Sequence, residues 1–228
     1  KGTNDFVTNV DKEAEQAIVQ VLKKSFPTHG IVGEEHGDYG NNDSEFQWII
    51  DPLDGTTNFI KGIPHFAVSI ALKHQGKLDQ AVIFDPLRGE LFTASRGRGA
   101  QLNGTRIRVT NLPDMGGTIL ATGFPFKNKT HLPAHAAMVT GLLADAADIR
   151  RTGSAALDLA YVAAGRFDGF FEIGLKPWDI AAGELIVREA GGLVSDFVGG
   201  SNQMRSGNIV AASPKVLAAM LKGIRPHL

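Results

Sequence analysis

Between positions 48 and 59 the chain reads W-I-I-D-P-L-D-G-T-T-N-F. Asp51 closes an apolar run and Asp54 follows across a proline-restricted turn, so two carboxylates can converge on one point with the Leu53 carbonyl between them. Three oxygen donors so close together suit a hard cation. Gly55-Thr56-Thr57 can open a short helical turn whose free amides hold a phosphate oxygen, because glycine permits close approach and the helix start supplies the dipole. A cation beside a phosphate cradle is the equipment of phosphoryl transfer. Asp-Pro and Asp-Gly are equally ordinary turn dipeptides, and the threonines can simply cap a helix. The ligand alternation and closing Glu of an EF-hand are missing, and so is G-x-x-x-x-G-K-[ST].

A further acid stands far downstream. In P-W-D-I-A-A-G-E-L, Pro177 suits the first turn of a helix that Gly191 and Gly192 close, so Asp179 lies where the macrodipole favours negative charge. Ser154 is a good N-cap before A-A-L-D-L-A. G-E-E-H-G at 33–37 reads by itself as a solvated acidic loop. Trp178, Ala181, Ala182 and Gly183 are read as a close helix-packing stripe rather than as substrate contacts.

These residues need a scaffold, and the hydrophobic pattern supplies one. Ala14, Ala17, Ile18, Val21 and Leu22 recur at three- and four-residue steps, predicting a helix over 11–26 stopped by Pro27. After a polar stretch at 33–45, Phe46–Ile50 reads as a short strand that breaks at Asp51. Alternation at Phe66, Val68, Ile70 and Leu72, with runs at 80–84, 90–94 and Arg106–Val109, predicts an antiparallel meander. From Gly116 strands and helices alternate, with helices near 131–146, after Ser154, after Pro177 and at the end. The expected fold class is α+β passing into α/β: an antiparallel-sheet half over 1–115 carrying most of the metal-binding acids, and a mixed half over 116–228 carrying Asp179, in one compact unit.

Composition narrows the chemistry. Lys and Arg number 23 against 24 Asp and Glu among 228 residues, a net charge of −1 that excludes a generally basic nucleic-acid binder. With 43% hydrophobic and 21% charged residues the chain can build a core. Absence of cysteine removes disulfides, thiol nucleophiles and zinc–thiolate sites. The histidines show no H-E-x-x-H or i, i+4 spacing, so any metal takes oxygen ligands. Arg96, Arg98, Arg106 and Arg108 are read as a solvated hairpin face, with an anionic partner as the lesser alternative. No apolar run is long enough to span a membrane, and a soluble, cytoplasmic protein is expected.

D-P-L-D-G-T-T-N-F, preceded by G-E-E and followed by P-W-D-I-A-A-G-E-L-I-V-R-E-A-G-G, resembles the paired signature motifs of the inositol monophosphatase family, and especially its bacterial members. The likeness extends through N-D-F-V-T-N-V-D and R-R-T-G-S-A-A-L-D-L-A-Y-V-A-A-G. It implies a layered αβαβα sandwich of the sugar-phosphatase type and Mg²⁺-dependent, lithium-sensitive hydrolysis of inositol monophosphate or a similar polyol phosphate. By position, Glu34, Asp51, the Leu53 carbonyl, Asp54 and Asp179 resemble the ligands of two magnesium ions, and Asp11 an outer acid near a possible third. Glu34 and Thr56, with Asp51, would activate the attacking water, Glu35 being the rival base. The Gly55 and Thr56 amides would hold phosphate, and Asp54, Arg150, Gly153, Ser154, Ala155, Glu172 and Asp179 would line the substrate. The resemblance also implies a homodimer and one or two family helices before the point where this sequence opens at Lys1, while the short segment between G-E-E-H-G and the W-I-I-D strand, as in bacterial members, implies a more open cleft and broader substrate choice.

Other activities share these motifs: hydrolysis of fructose 1,6-bisphosphate, nucleotide phosphates or histidinol phosphate. An aspartyl-phosphate mechanism through Asp51 fits poorly, since such enzymes pair their acids as D-x-D. From a different class, the chain could act as a regulatory binding protein of the transcription and RNA machinery, reached through a protein partner rather than through nucleic acid directly.

Overall fold

The computed structural model describes residues 8–40 and 44–228; positions 1–7 and 41–43, which include the start of N-D-F-V-T-N-V-D and part of the polar stretch, lie outside the described residues. Helix α1 (Asn9–Ser25) is fastened at its start by reciprocal hydrogen bonds. The Thr8 hydroxyl accepts the Asp11 amide while Asp11 accepts the Thr8 amide at 2.8 Å. That cap starts the helix two residues before the apolar period becomes visible.

The first sheet holds β1 (Gly30–Gly33), β2 (Gly37–Asp38), β3 (Phe46–Asp54), β4 (Ala67–His74), β5 (Lys77–Asp85), β6 (Glu90–Ser95), β7 (Gly99–Leu102) and β8 (Thr105–Arg106), in the order β2-β1-β3-β4-β5-β6-β7-β8. It is mixed rather than purely antiparallel, because β1, inside the stretch that pattern reading leaves without a strand, pairs parallel to β3. Nor does β3 end at Ile50. It continues to Asp54 through a register shift between Asp51 and Asp54, a bulge that seats Pro52 where no ladder donor is required. The last strand is shorter than expected, since the Val109 amide leaves the ladder to bond the Ala190 carbonyl.

After α2 (Thr56–Ile60) and the meander, the second sheet takes β9 (Ile119–Thr122), β10 (Asp148–Arg150), β11 (Gly169–Glu172), β12 (Leu193–Ser195) and β13 (Ile209–Ala212) in the order β10-β9-β11-β13-β12. The helices are α3 (Leu132–Leu143), α4 (Ala155–Ala163), α5 (Pro177–Glu189), α6 (Gln203–Ser206) and α7 (Pro214–Ile224). The layers run α1, first sheet, α4 with α5, second sheet, α3 with α7.

On β4 the small residues Ala67, Ser69 and Ala71 are buried, whereas Ile70 packs beneath α1 with Val19, Ile31 and Ile50. The small face lets α5 settle onto the sheet. Gly183 of α5 then meets α4 so closely that a Cβ there would lie 2.5 Å from the Leu159 Cβ, which accounts for the stripe of small residues around it. Arg96 pairs with Asp79 at 3.0 Å, and Arg106 bonds the Arg98 carbonyl, so this exposed hairpin face holds itself together. Among the described residues no helix is long and apolar enough to cross a membrane.

Candidate active site

The bulge in β3 aims its acids into a cavity of about 470 Å³ enclosed by Glu34, the 51–57 turn, the 122–128 segment, the start of α4, the end of β11 and the start of α5. Asp51 is 1% exposed, and its carboxylate accepts the Leu53 amide at 3.0 Å. Asp54 reaches across to α4, accepting the Ser154 hydroxyl at 2.6 Å and the Ala156 amide at 2.7 Å. Asp179 caps α5 by accepting the Lys176 amide at 2.6 Å. One carboxylate oxygen from each of Asp51, Asp54 and Asp179 falls within 4.8 Å of the others.

Three carboxylates this close, with few donors, resist ionising together. Burial pushes the Asp51 carboxyl well above its ordinary range, and the charges of Glu34, Asp54 and Asp179 add to the rise. Burial lifts Asp54 to about 6; Glu34 adds to this, while hydrogen bonds from Ser154 and Ala156 and the Lys127 charge oppose it. Asp179 rises to about 7, through burial first and then the Asp54 charge. A divalent cation relieves all three at once, and hard oxygen donors are what Mg²⁺ takes.

Behind the acids stands Thr56. Its single hydroxyl lies 3.0 Å from Asp11 Oδ1 and 3.0 Å from the Leu53 carbonyl, so Asp11, fully buried in α1, fixes the side chain from behind. Asp11 does not itself line the cavity. Gly55 takes φ +94°, and a Cβ on it would meet the His65 carbonyl at 3.1 Å, so this sharp entry to α2 requires glycine. Asn58 bridges the His65 and Thr152 carbonyls at 2.8 and 2.9 Å, tying the turn to the loop before α4.

Gly153, Ser154, Ala155 and Glu172 all line the cavity, and Glu34 does so from the end of β1. Burial, with the charges of Asp158, Asp179 and Asp54, lifts the Glu172 carboxyl well above its usual range. Room for it depends on Gly123, where a Cβ would lie 2.2 Å from the Glu172 carboxyl.

Arg150 is elsewhere. It ends β10, is exposed and pairs with Asp148, while the next residue, Arg151, lines the cavity. Arg151 stands just past the end of β10, where the chain turns toward α4. Pattern reading also passed over Lys127, His131 and Asp158 on the cavity wall. Asp158, 1% exposed, accepts the Thr152 hydroxyl at 2.6 Å. A buried acid inside the apolar run A-A-L-D-L-A was the available signal for it.

The two-sheet sandwich with an acid-floored cavity is of the sugar-phosphatase type, and comparison with known proteins narrows the class. The sequence profile described as "Inositol monophosphatase family" matches residues 1–227, and the chain belongs to that family. Its 228 residues are 62% identical to the Nus factor SuhB of Escherichia coli K12, covering 100% of this chain and 85% of that protein. Among solved structures, the extragenic suppressor protein suhB of Bartonella henselae superposes with TM-score 0.96 at 44% identity, over 100% of this chain and 88% of that one. The inositol monophosphatase of Anabaena sp. PCC 7120 gives 0.92 at 38% identity, over 96% and 87%.

Proposed function

We propose that this protein is a Mg²⁺-dependent phosphomonoesterase that hydrolyses inositol monophosphate or a similar small polyol phosphate. The observation that carries the reading is the convergence of Asp51, Asp54 and Asp179 within 4.8 Å, in the lining of a cavity that Glu172 also lines. Asp51, Asp54, Asp179, Glu34 and the Leu53 carbonyl would hold two ions, with Asp11 near a third. Magnesium, when bound, supplies Lewis acidity that neutralises phosphoryl charge and acidifies the attacking water. The chain does the rest. Thr56, held by Asp11, orients that water, and Glu34 takes its proton. The amides of Gly55 and Thr56, at the unpaired start of α2, hold the phosphoryl oxygens. Glu172, with Gly153, Ser154 and Ala155, receives the polyol hydroxyls, its carboxyl oxygens serving as acceptors.

Phosphate release from a panel of inositol, sugar, nucleotide and histidinol phosphates, with Mg²⁺, EDTA or lithium, tests the reading. Release that needs Mg²⁺, is suppressed by lithium and disappears in Asp179→Asn supports it; metal-independent release, or none from any substrate, rejects it. A second reading, a binding role in the transcription machinery, is favoured by one observation: whole-chain similarity to a protein named Nus factor. Purified transcription-elongation factors that bind Asp179→Asn as well as they bind the native protein would separate that role from catalysis.

A further inference from the structure

Glu15 lies on the same face of α1 as Asp11, one turn later, and its side chain is fully buried. It is not part of the cavity wall. Its carboxylate nevertheless gathers the segment between β1 and β2, which carries Glu34. Oε2 accepts the Glu35 amide at 2.9 Å, and Oε1 accepts the His36 amide at 3.0 Å and the Tyr39 hydroxyl at 2.7 Å, with His36 Nδ1 2.8 Å away. Gly33 closes the bracket, because a Cβ on it would lie 2.4 Å from Glu15 Oε2. Glu34 is therefore flanked on both sides by residues that touch Glu15, and its own amide is pinned to the Ile50 carbonyl at 3.1 Å.

We propose that Glu15 is the positioning residue of the cation site: its buried carboxylate shapes residues 33–39 so that Glu34 is presented to the cavity beside Asp51. This rests on the metal-dependent reading above. One face of α1 then serves the site twice, through Asp11 to Thr56 and through Glu15 to Glu34. A carboxylate suits the task because its oxygens offer several lone pairs, enough for donors arriving from different directions. Burial by itself raises the Glu15 carboxyl, but the bonds from Glu35, Tyr39 and His36 outweigh it and hold it below the usual range, so the acceptor stays ionised.

Glu15→Gln keeps the size and turns an NH₂ toward amide donors. Mn²⁺ binding followed by electron paramagnetic resonance is expected to weaken roughly tenfold or more, as for other residues that orient metal ligands. The Mg²⁺ concentration for half-maximal phosphate release should rise by a similar factor, and kcat at saturating Mg²⁺ should fall as well, because Glu34 also takes the water's proton. Tyr39→Phe, which removes one donor and spares the helix, should give a smaller shift in the same direction. In a Glu34→Ala background, Glu15→Gln should change Mn²⁺ affinity no further, because Glu15 acts through Glu34. Hydrogen exchange at the 33–39 amides should quicken in Glu15→Gln with the sheets unaffected. Native Mn²⁺ affinity in Glu15→Gln, an equal loss with and without Glu34, or unchanged exchange at 33–39 would overturn the proposal. Lack of any Mn²⁺ binding by the native protein would instead overturn the metal-dependent reading, and the exchange result would still decide whether Glu15 holds the segment.

Discussion

Glu15 and Asp51 are carboxylates equally withdrawn from water, yet their surroundings are opposite. Glu15 is surrounded by two amides, a phenol and an imidazole, and its carboxyl is driven down. Asp51 has the Leu53 amide and otherwise faces other acids, and its carboxyl is driven up. Asp196 resembles Glu15: it accepts the amides of Val198, Gly200 and Asn202 and shapes the turn after β12. Asp54 and Asp179 resemble Asp51. A buried acid supplied with donors organises the chain around it, whereas buried acids pressed together with few donors store repulsion that a cation releases.

Exchanging charge for neutrality at the two kinds of site should have opposite effects. Asp51→Asn is expected to lower turnover on the order of a thousandfold, since several kcal/mol of Lewis-acid stabilisation depend on its ligands. The same substitution should raise the thermal stability of the EDTA-treated protein, because a carboxyl buried among other acids is gone. A lower stability in EDTA would break the distinction. Asp196→Ala should do the reverse: three orphaned amides cost about 3 kcal/mol in denaturant unfolding, with kcat near native.

Proton linkage sharpens the contrast further. In EDTA the folded protein keeps protons on Asp54 up to about 6 and on Asp179 up to about 7, protons that the unfolded chain has lost by about pH 5. Stability of the metal-free protein should therefore fall as pH rises from about 4 through 7. Mg²⁺ should abolish that fall and, at pH 6, displace protons on binding, a heat that changes with the buffer's ionisation enthalpy in calorimetry. The smallest expected effects separate neighbouring arginines. Arg151→Ala should cost about tenfold in kcat/KM if its charge meets substrate. Arg150→Ala, which breaks only an exposed pair with Asp148, should leave the rate and the stability essentially unchanged.

Much of the scaffold is legible in local sequence. The helix after Pro177, the cap at Ser154 and the strand–turn–helix at 48–59 follow from residues within a turn or two of one another. Strands β1 and β2 were not legible, since four residues G-I-V-G and two residues G-D have no period to read and exist only through pairing. The meander from β4 to β8 is antiparallel as expected, and only the unforeseen β1, parallel to β3, makes the sheet mixed. The true end of β3 was hidden by Pro52, which signals a break in sequence and is absorbed by a bulge in the sheet.

For the site the division is sharper still. Residue types and spacing alone put Asp51, the Leu53 carbonyl and Asp54 within four residues beside the sharp turn at Gly55, and Asp179 in the first turn of a helix, because both depend on local dihedral preferences and caps. Tertiary structure decided that those turns meet. Asp54 finds its hydroxyl donor on Ser154, one hundred residues away, Arg151 rather than Arg150 faces the cavity, and Glu15 reaches Glu35 across twenty positions. No local rule specifies such contacts, because they arise from how α1, α4 and α5 pack against the two sheets, and packing is a property of the assembled layers.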